Sequence, residues 1–116
     1  MQDNSNLIVD FTLEFAIHIV TYCDQLDVQK KFVLSRQLLR SGTAIGASAR
    51  EAQNAESKAD FIHKFKIAAK EAEETEYWLL ICKKSPGYPD PEKLLTELKS
   101  IQKVINKIIA TLKKSD

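Results

Sequence analysis

The chain has 116 residues, 44% hydrophobic and 28% charged, with 17 basic against 16 acidic side chains and a net charge of +1. That length allows one core and therefore one domain, 1–116. The balanced charge excludes the overall basic excess of a dedicated nucleic-acid binder, and only three glycines and three prolines argue against a fold of many short strands.

No apolar run approaches the ~20 residues needed to cross a bilayer. The first residues, MQDNSNL, lack a basic region leading into an apolar stretch, so no signal peptide is visible and a cytoplasmic location is expected. Cys23 and Cys82 are single and without CxxC spacing, which reads as two buried, reduced thiols.

In chain order, Asp3, Asn4 or Ser5 can cap a first helix over about 7–25. Ile8, Phe11, Phe15, Ile19 and Tyr22 make one apolar stripe, and Val9, Leu13, Ala16, Val20 and Cys23 a second beside it. One stripe suffices for a bundle helix, so the second predicts a further contact, between subunits. Residues 24–27 read as a short connection.

The second helix is predicted over about 28–55. Leu34, Leu38, Ser41, Ile45, Ser48, Ala52 and Ala55 recur at 4-3 spacing as its seam. Small residues dominate from Ser41 to Ala49, and Gly42 and Gly46 lie four apart. Each glycine weakens a helix by ~1 kcal/mol relative to alanine, so a close contact or a bend is expected to compensate. A turn near Asn54–Ser57 reverses the chain.

Ser57 with Asp60 forms an S-x-x-D cap for a third helix over about 58–83. Its seam is Phe61, Phe65, Ala68, Ala72, Thr75, Leu79 and Cys82. The small middle of this seam is expected to face the small middle of the second helix. Tyr77, Trp78, Leu80 and Ile81 widen the apolar surface near its end, predicting a partner face.

The stretch KSPGYPDP over 84–91 is the clearest break. A fourth helix over about 92–113 carries the seam Leu94, Leu98, Ile101, Ile105, Ile108 and Leu112. Short connections make neighbours antiparallel. The fold expected is all-α, an antiparallel up-down-up-down four-helix bundle.

No catalytic chemistry is legible. Ferritin-like bundles hold metal with paired E-x-x-H motifs, whereas Asp60-x-x-His63 and Glu14-x-x-x-His18 are single and of different spacing. A nucleophile elbow and a glycine-rich phosphate loop are both missing. The expectation is therefore no enzyme, no metal, no cofactor and no small-molecule substrate.

The basic residues are more informative. Lys99, Lys103, Lys107 and Lys114 fall opposite the seam of the last helix, and Arg36 and Arg40 opposite Leu34 and Leu38. These are candidate phosphate contacts, weighed against an ordinary solvated face. Glu71, Glu73, Glu74 and Glu76 form an acidic segment that could pair with them between subunits. Tyr77 and Trp78 could stack on bases, although such side chains more commonly anchor cores or interfaces.

One stretch carries a family resemblance. Leu34, Ser35, Gln37, Leu38, Arg40 and Ile45, followed by Glu51, Ser57, Phe61, Ile67, Ala68, Glu74, Glu76 and Leu79, resemble the four-helix-bundle proteins related to the product of intervening sequences in bacterial 23S rRNA genes. The accessory variability-determinant proteins of diversity-generating retroelements are in the same group. The chain departs from the pattern at Ser48, Ala49 and Ala52 and at Lys70–Glu71. The resemblance implies a ring-like homo-oligomer, a pentamer, with RNA or a reverse transcriptase as partner. The interface expected is Val9, Leu13, Ala16, Val20, Tyr77, Leu80 and Ile81. The rival expectations are a purely structural or protein-binding oligomer and a small-molecule or metal-binding bundle enzyme.

Overall fold

The structure is a computed structural model that describes the backbone of residues 2–114 and the side chains of residues 7–114. Four helices account for nearly all of it: α1 (Gln2–Val28), α2 (Phe32–Ala52), α3 (Lys58–Lys84) and α4 (Glu92–Lys114). They form a rod of 49 × 21 × 19 Å, of which the longest helices span about 40 Å at ~1.5 Å per residue. Among the described residues, α1 and α3 each pack against α2 and α4, with no close backbone approach across either diagonal. The arrangement is the square, antiparallel bundle that the seams predict.

The core is the set of seam residues. Every predicted α3 seam residue is buried, as are Leu94, Leu98, Ile101, Ile105 and Ile108 on α4. On α1, Ile8, Phe15, Ile19, Tyr22 and Leu26 are buried with them. Cys23, which the spacing also puts at the end of the second stripe, lies inside as expected of a buried thiol; its thiol donates to the Ser35 carbonyl while the Ser35 hydroxyl donates to the Cys23 carbonyl.

Gly42 and Gly46 mark the close approach of α1 and α2. A Cβ on Gly42 would stand 2.9 Å from Ile19 Cγ1, and one on Gly46 would stand 3.2 Å from the Thr12 carbonyl oxygen. The small-residue run therefore serves two neighbours. Its glycines face α1, while Ser41 faces the small middle of α3, where its hydroxyl lies 2.9 Å from that of Thr75.

Four boundaries differ from expectation; among them α2 starts at Phe32 rather than about 28, because α1 continues to Val28 and the turn at Lys30 and Lys31 follows it. α1 begins at Gln2, so Asp3, Asn4 and Ser5 lie within the helix; neither proline nor glycine interrupts those first residues. α1 also runs through residues 24–27, the predicted connection, and ends at Val28. There Lys30 takes φ 62°, while the Lys31 and Lys30 amides bond to the Leu26 and Asp27 carbonyls. This is a Schellman ending with lysine in the position that glycine usually fills. α2 ends at Ala52 rather than about 55, because Gln53, Asn54 and Ala55 tighten into bonds to carbonyls three residues back.

The starts of α3 and α4 lie where the sequence predicts them. The Ser57 hydroxyl accepts from the Asp60 amide at 3.0 Å, and the Asp60 carboxylate accepts from the Glu56 amide. In the last loop Gly87 takes φ 81°, a backbone state that glycine reaches without a Cβ clash. The Tyr22 hydroxyl donates to the Pro89 carbonyl and Lys83 pairs with Glu92 at 2.8 Å, which fixes the loop to the bundle end.

Candidate functional site

The outer faces of the helices carry basic, ion-paired and apolar side chains. On α4, Lys99, Lys103, Lys107 and Lys114 are all exposed, because they occupy the face turned away from the Leu94–Ile108 seam. None has an ion-pair partner among the described residues. The row is thus a line of cations on one helix face.

The two arginines of α2 part company. Arg36 is exposed and carries no ion pair among the described residues. Arg40 bridges to Glu71, at 3.3 Å, and to Glu74 on α3. The guanidinium holds the Glu74 carboxyl below the ordinary carboxylate range, assisted by the Trp78 indole N–H, which donates to the same side chain at 3.0 Å. Part of the acidic segment is therefore matched within the subunit.

Apolar side chains remain on the outer faces of α1 and α3. On α1, Leu13 is 53% and Val20 44% exposed, with Leu7 and Ile17 alongside them. Val9 and Ala16 are half-buried, and they line a shallow groove with Leu13, Thr43, Gly46 and Arg50 where α1 meets α2. On α3, Tyr77 is 60% exposed, Leu80 is exposed and Ile81 is half-buried. Trp78 packs against the core, edge-on to Tyr77 with ring centroids 5.4 Å apart. Because α1 and α3 are diagonal, these are two separate patches on opposite sides of the rod.

A concavity of about 770 Å³ lies between α1 and α4 beside the last loop; Thr21, Tyr22, Gln25, Asp90 and Lys93 contribute to its lining. At its edge His18 Nδ1 is 2.8 and 3.0 Å from the two Glu97 carboxylate oxygens. Glu14, one turn before His18, brings its carboxylate to the same point, so that ligand-type atoms of all three lie within 4.8 Å of one another. The sequence motif Glu14-x-x-x-His18 points there, but Glu97 is missing from it. Only the pairing of α1 with α4 brings in a residue so distant in the chain. The sequence reading, which expects no metal, did not single out this grouping.

A second cavity, at the other end of the rod, is lined by Lys58, His63, Lys66 and Lys113 with Ala59 and Ile62. Lys113 beside Lys66 pushes the Lys66 ammonium pKa down, as one cation does to another. Lys66 and Lys113 thus extend the basic character of α4 onto α3, and the sequence reading did not single them out.

These features define an all-helical bundle with one basic face, two apolar faces and no recognisable catalytic constellation among the described residues. Residues 5–110 match the model of the 23S rRNA-intervening sequence protein family, and the chain belongs to that family. It is also similar to a crystal structure of a protein of unknown function from the S23 ribosomal protein family of Bacteroides thetaiotaomicron. That likeness is 44% identity and a TM-score of 0.86, over 92% of this chain and 98% of that one. No curated protein matches significantly. Neither description names an enzymatic activity. No described helix is long and apolar enough to cross a membrane.

Proposed function

We propose that this chain is a non-enzymatic adaptor that assembles into a closed homo-oligomeric ring, a pentamer, and associates in the cytoplasm with structured RNA or an RNA-handling enzyme such as a reverse transcriptase. The observation that carries this reading is the disposition of the faces. A two-fold interface would use one patch twice; two distinct apolar patches on diagonal helices suit a head-to-tail contact, which closes into a ring when the rotation allows. With the outer faces of α1 and α3 joined between neighbours, the α4 lysines stay accessible in every copy. Repetition of a modest phosphate-binding row then raises affinity through avidity without new contacts. The choice of partner class rests on the resemblance of the α2–α3 hairpin to the group that includes the retroelement-branch proteins.

A purely structural or protein-binding oligomer is the second reading, and the Arg40–Glu71–Glu74 cluster favours it. Charges matched within the subunit give nothing to a phosphate.

Size exclusion with light scattering, at low and high salt and with a structured RNA, separates the two. The adaptor reading expects a mass near five chains and a shift with RNA that vanishes at high salt, because counterion release dominates such binding. Lys103→Glu with Lys107→Glu abolishes the shift and leaves the ring intact. A ring indifferent to RNA supports the second reading, and a monomer at micromolar concentration overturns both.

A further inference from the structure

We propose that Glu14, His18 and Glu97 form a binding site for a divalent transition-metal cation of the zinc class, with a coordination position open to the cleft between α1 and α4. This goes beyond the adaptor reading and does not depend on it.

The donor set is one imidazole nitrogen and two carboxylates from two helices. Glu14 and His18 are four apart on α1 and so share a face. Glu97 approaches from α4 and is the most shielded of the three, with its side chain 24% exposed against 45% for His18. The ligand atoms lie within 4.8 Å of one another. A tetrahedral cation with bonds of about 2.0–2.2 Å holds its ligands roughly 3.3–3.6 Å apart, so the cluster already lies within reach. The shared hydrogen bond between His18 and Glu97 has to open by about half an ångström for the cation to enter, a small side-chain adjustment on a partly exposed pair.

The chemistry selects the cation. Calcium takes six to eight oxygen ligands and magnesium keeps a shell of water, whereas an imidazole nitrogen with carboxylates suits zinc, cobalt and nickel. Two carboxylates offset the charge of a divalent ion. Three protein ligands leave a fourth position, which faces the cleft and would take water or a small anion. His63, the other histidine, sits among lysines at the opposite end of the rod, an environment that repels cations.

The test is titration of the untagged full chain with Zn²⁺ by calorimetry and with Co²⁺ by visible absorption. The site predicts one equivalent per chain and the d–d bands of a low-coordinate cobalt ion. His18→Ala and Glu97→Gln each weaken binding by about tenfold or more, since loss of even an outer-shell partner of a metal ligand has an effect of that size. His63→Ala leaves it unchanged. Because the three side chains are at least partly exposed, circular dichroism should show the variants folded. Absence of binding overturns the proposal, as does binding that survives His18→Ala, or a thiolate-to-cobalt charge-transfer band that assigns the metal to cysteine.

Discussion

Ile19 on α1 and Gly42 on α2 meet so closely that a Cβ at position 42 would lie 2.9 Å from Ile19 Cγ1, 3.0 Å from Cγ2 and 3.0 Å from Cδ1. All four carbons of that side chain sit in a packed core with no exposure, so the clash is not relieved by swinging a loose end. Gly42→Ala gains about 1 kcal/mol of helix propensity and loses about 1–3 kcal/mol to overpacking. The expected outcome is a net destabilisation of roughly 1 kcal/mol in urea unfolding. Adding Gly42→Ala to Ile19→Ala should cost nothing further, because the clashing carbons are then gone, and this coupling is the check.

Lys30 is the opposite case. Its φ of 62° places a side chain in a region that disfavours L-residues by about 1–2 kcal/mol. Glycine adopts the region freely but loses more entropy on folding. Lys30→Gly should therefore stabilise the protein by about 0.5 kcal/mol, measured as a higher denaturation midpoint at unchanged slope.

Lys30 also shows where the sequence is mute. The seams of α2, α3 and α4 were legible almost residue by residue, because burial in a bundle follows the 4-3 spacing directly. The Ser57 cap and the proline-rich break were legible because their residue types have few other uses. The end of α1 was not: a lysine in the left-handed state carries no glycine signal, while Asp24 and Asp27 imitate a connection. Site residues divide the same way. Exposed lysines on one face of α4 follow from periodicity within a single helix. The meeting of Glu14 and His18 with Glu97, or of Lys66 with Lys113, depends on which helices are neighbours.

Arg40 tests how far its cluster is structural. The side chain is half exposed, so its pairing contributes at most about 1 kcal/mol and less at high salt. The Glu74 carboxyl is held below its ordinary value of 4.5, first by Arg40 and then by Trp78. A carboxylate with a depressed folded pKa stabilises the fold above the unfolded value and loses that stabilisation as pH falls through the folded value. The stability gap between the wild type and Arg40→Ala should accordingly be full at neutral pH and shrink below pH 4.5, as followed by urea titrations across that range.

Cys23 and Cys82 are both buried, and burial pushes the Cys23 thiol up to about 11. At pH 8 roughly one Cys23 in a thousand is then thiolate, and the thiolate is the reactive form. Both cysteines should resist a thiol reagent in the folded protein and react fully in denaturant. A native-state labelling rate close to that of a free thiol would contradict the placement.

The buried hydroxyl pair of Ser41 and Thr75 gives the sharpest test of the α2–α3 contact. Thr75 Oγ1 is 2.8 Å from the Glu71 carbonyl, which can only accept, and 2.9 Å from Ser41 Oγ. A hydroxyl has one proton, so Thr75 donates to the carbonyl and receives the proton of Ser41. Thr75→Val keeps the shape but leaves the Ser41 hydroxyl without this acceptor, at a cost of about 1–3 kcal/mol, because a buried donor then lacks its partner. Ser41→Ala with Thr75→Val removes both hydroxyls together and should recover most of that loss. The four-member cycle, measured by urea unfolding, is expected to give a coupling of about 1 kcal/mol. Additive losses would mean that the two hydroxyls do not depend on each other, and that α2 and α3 meet in a different register.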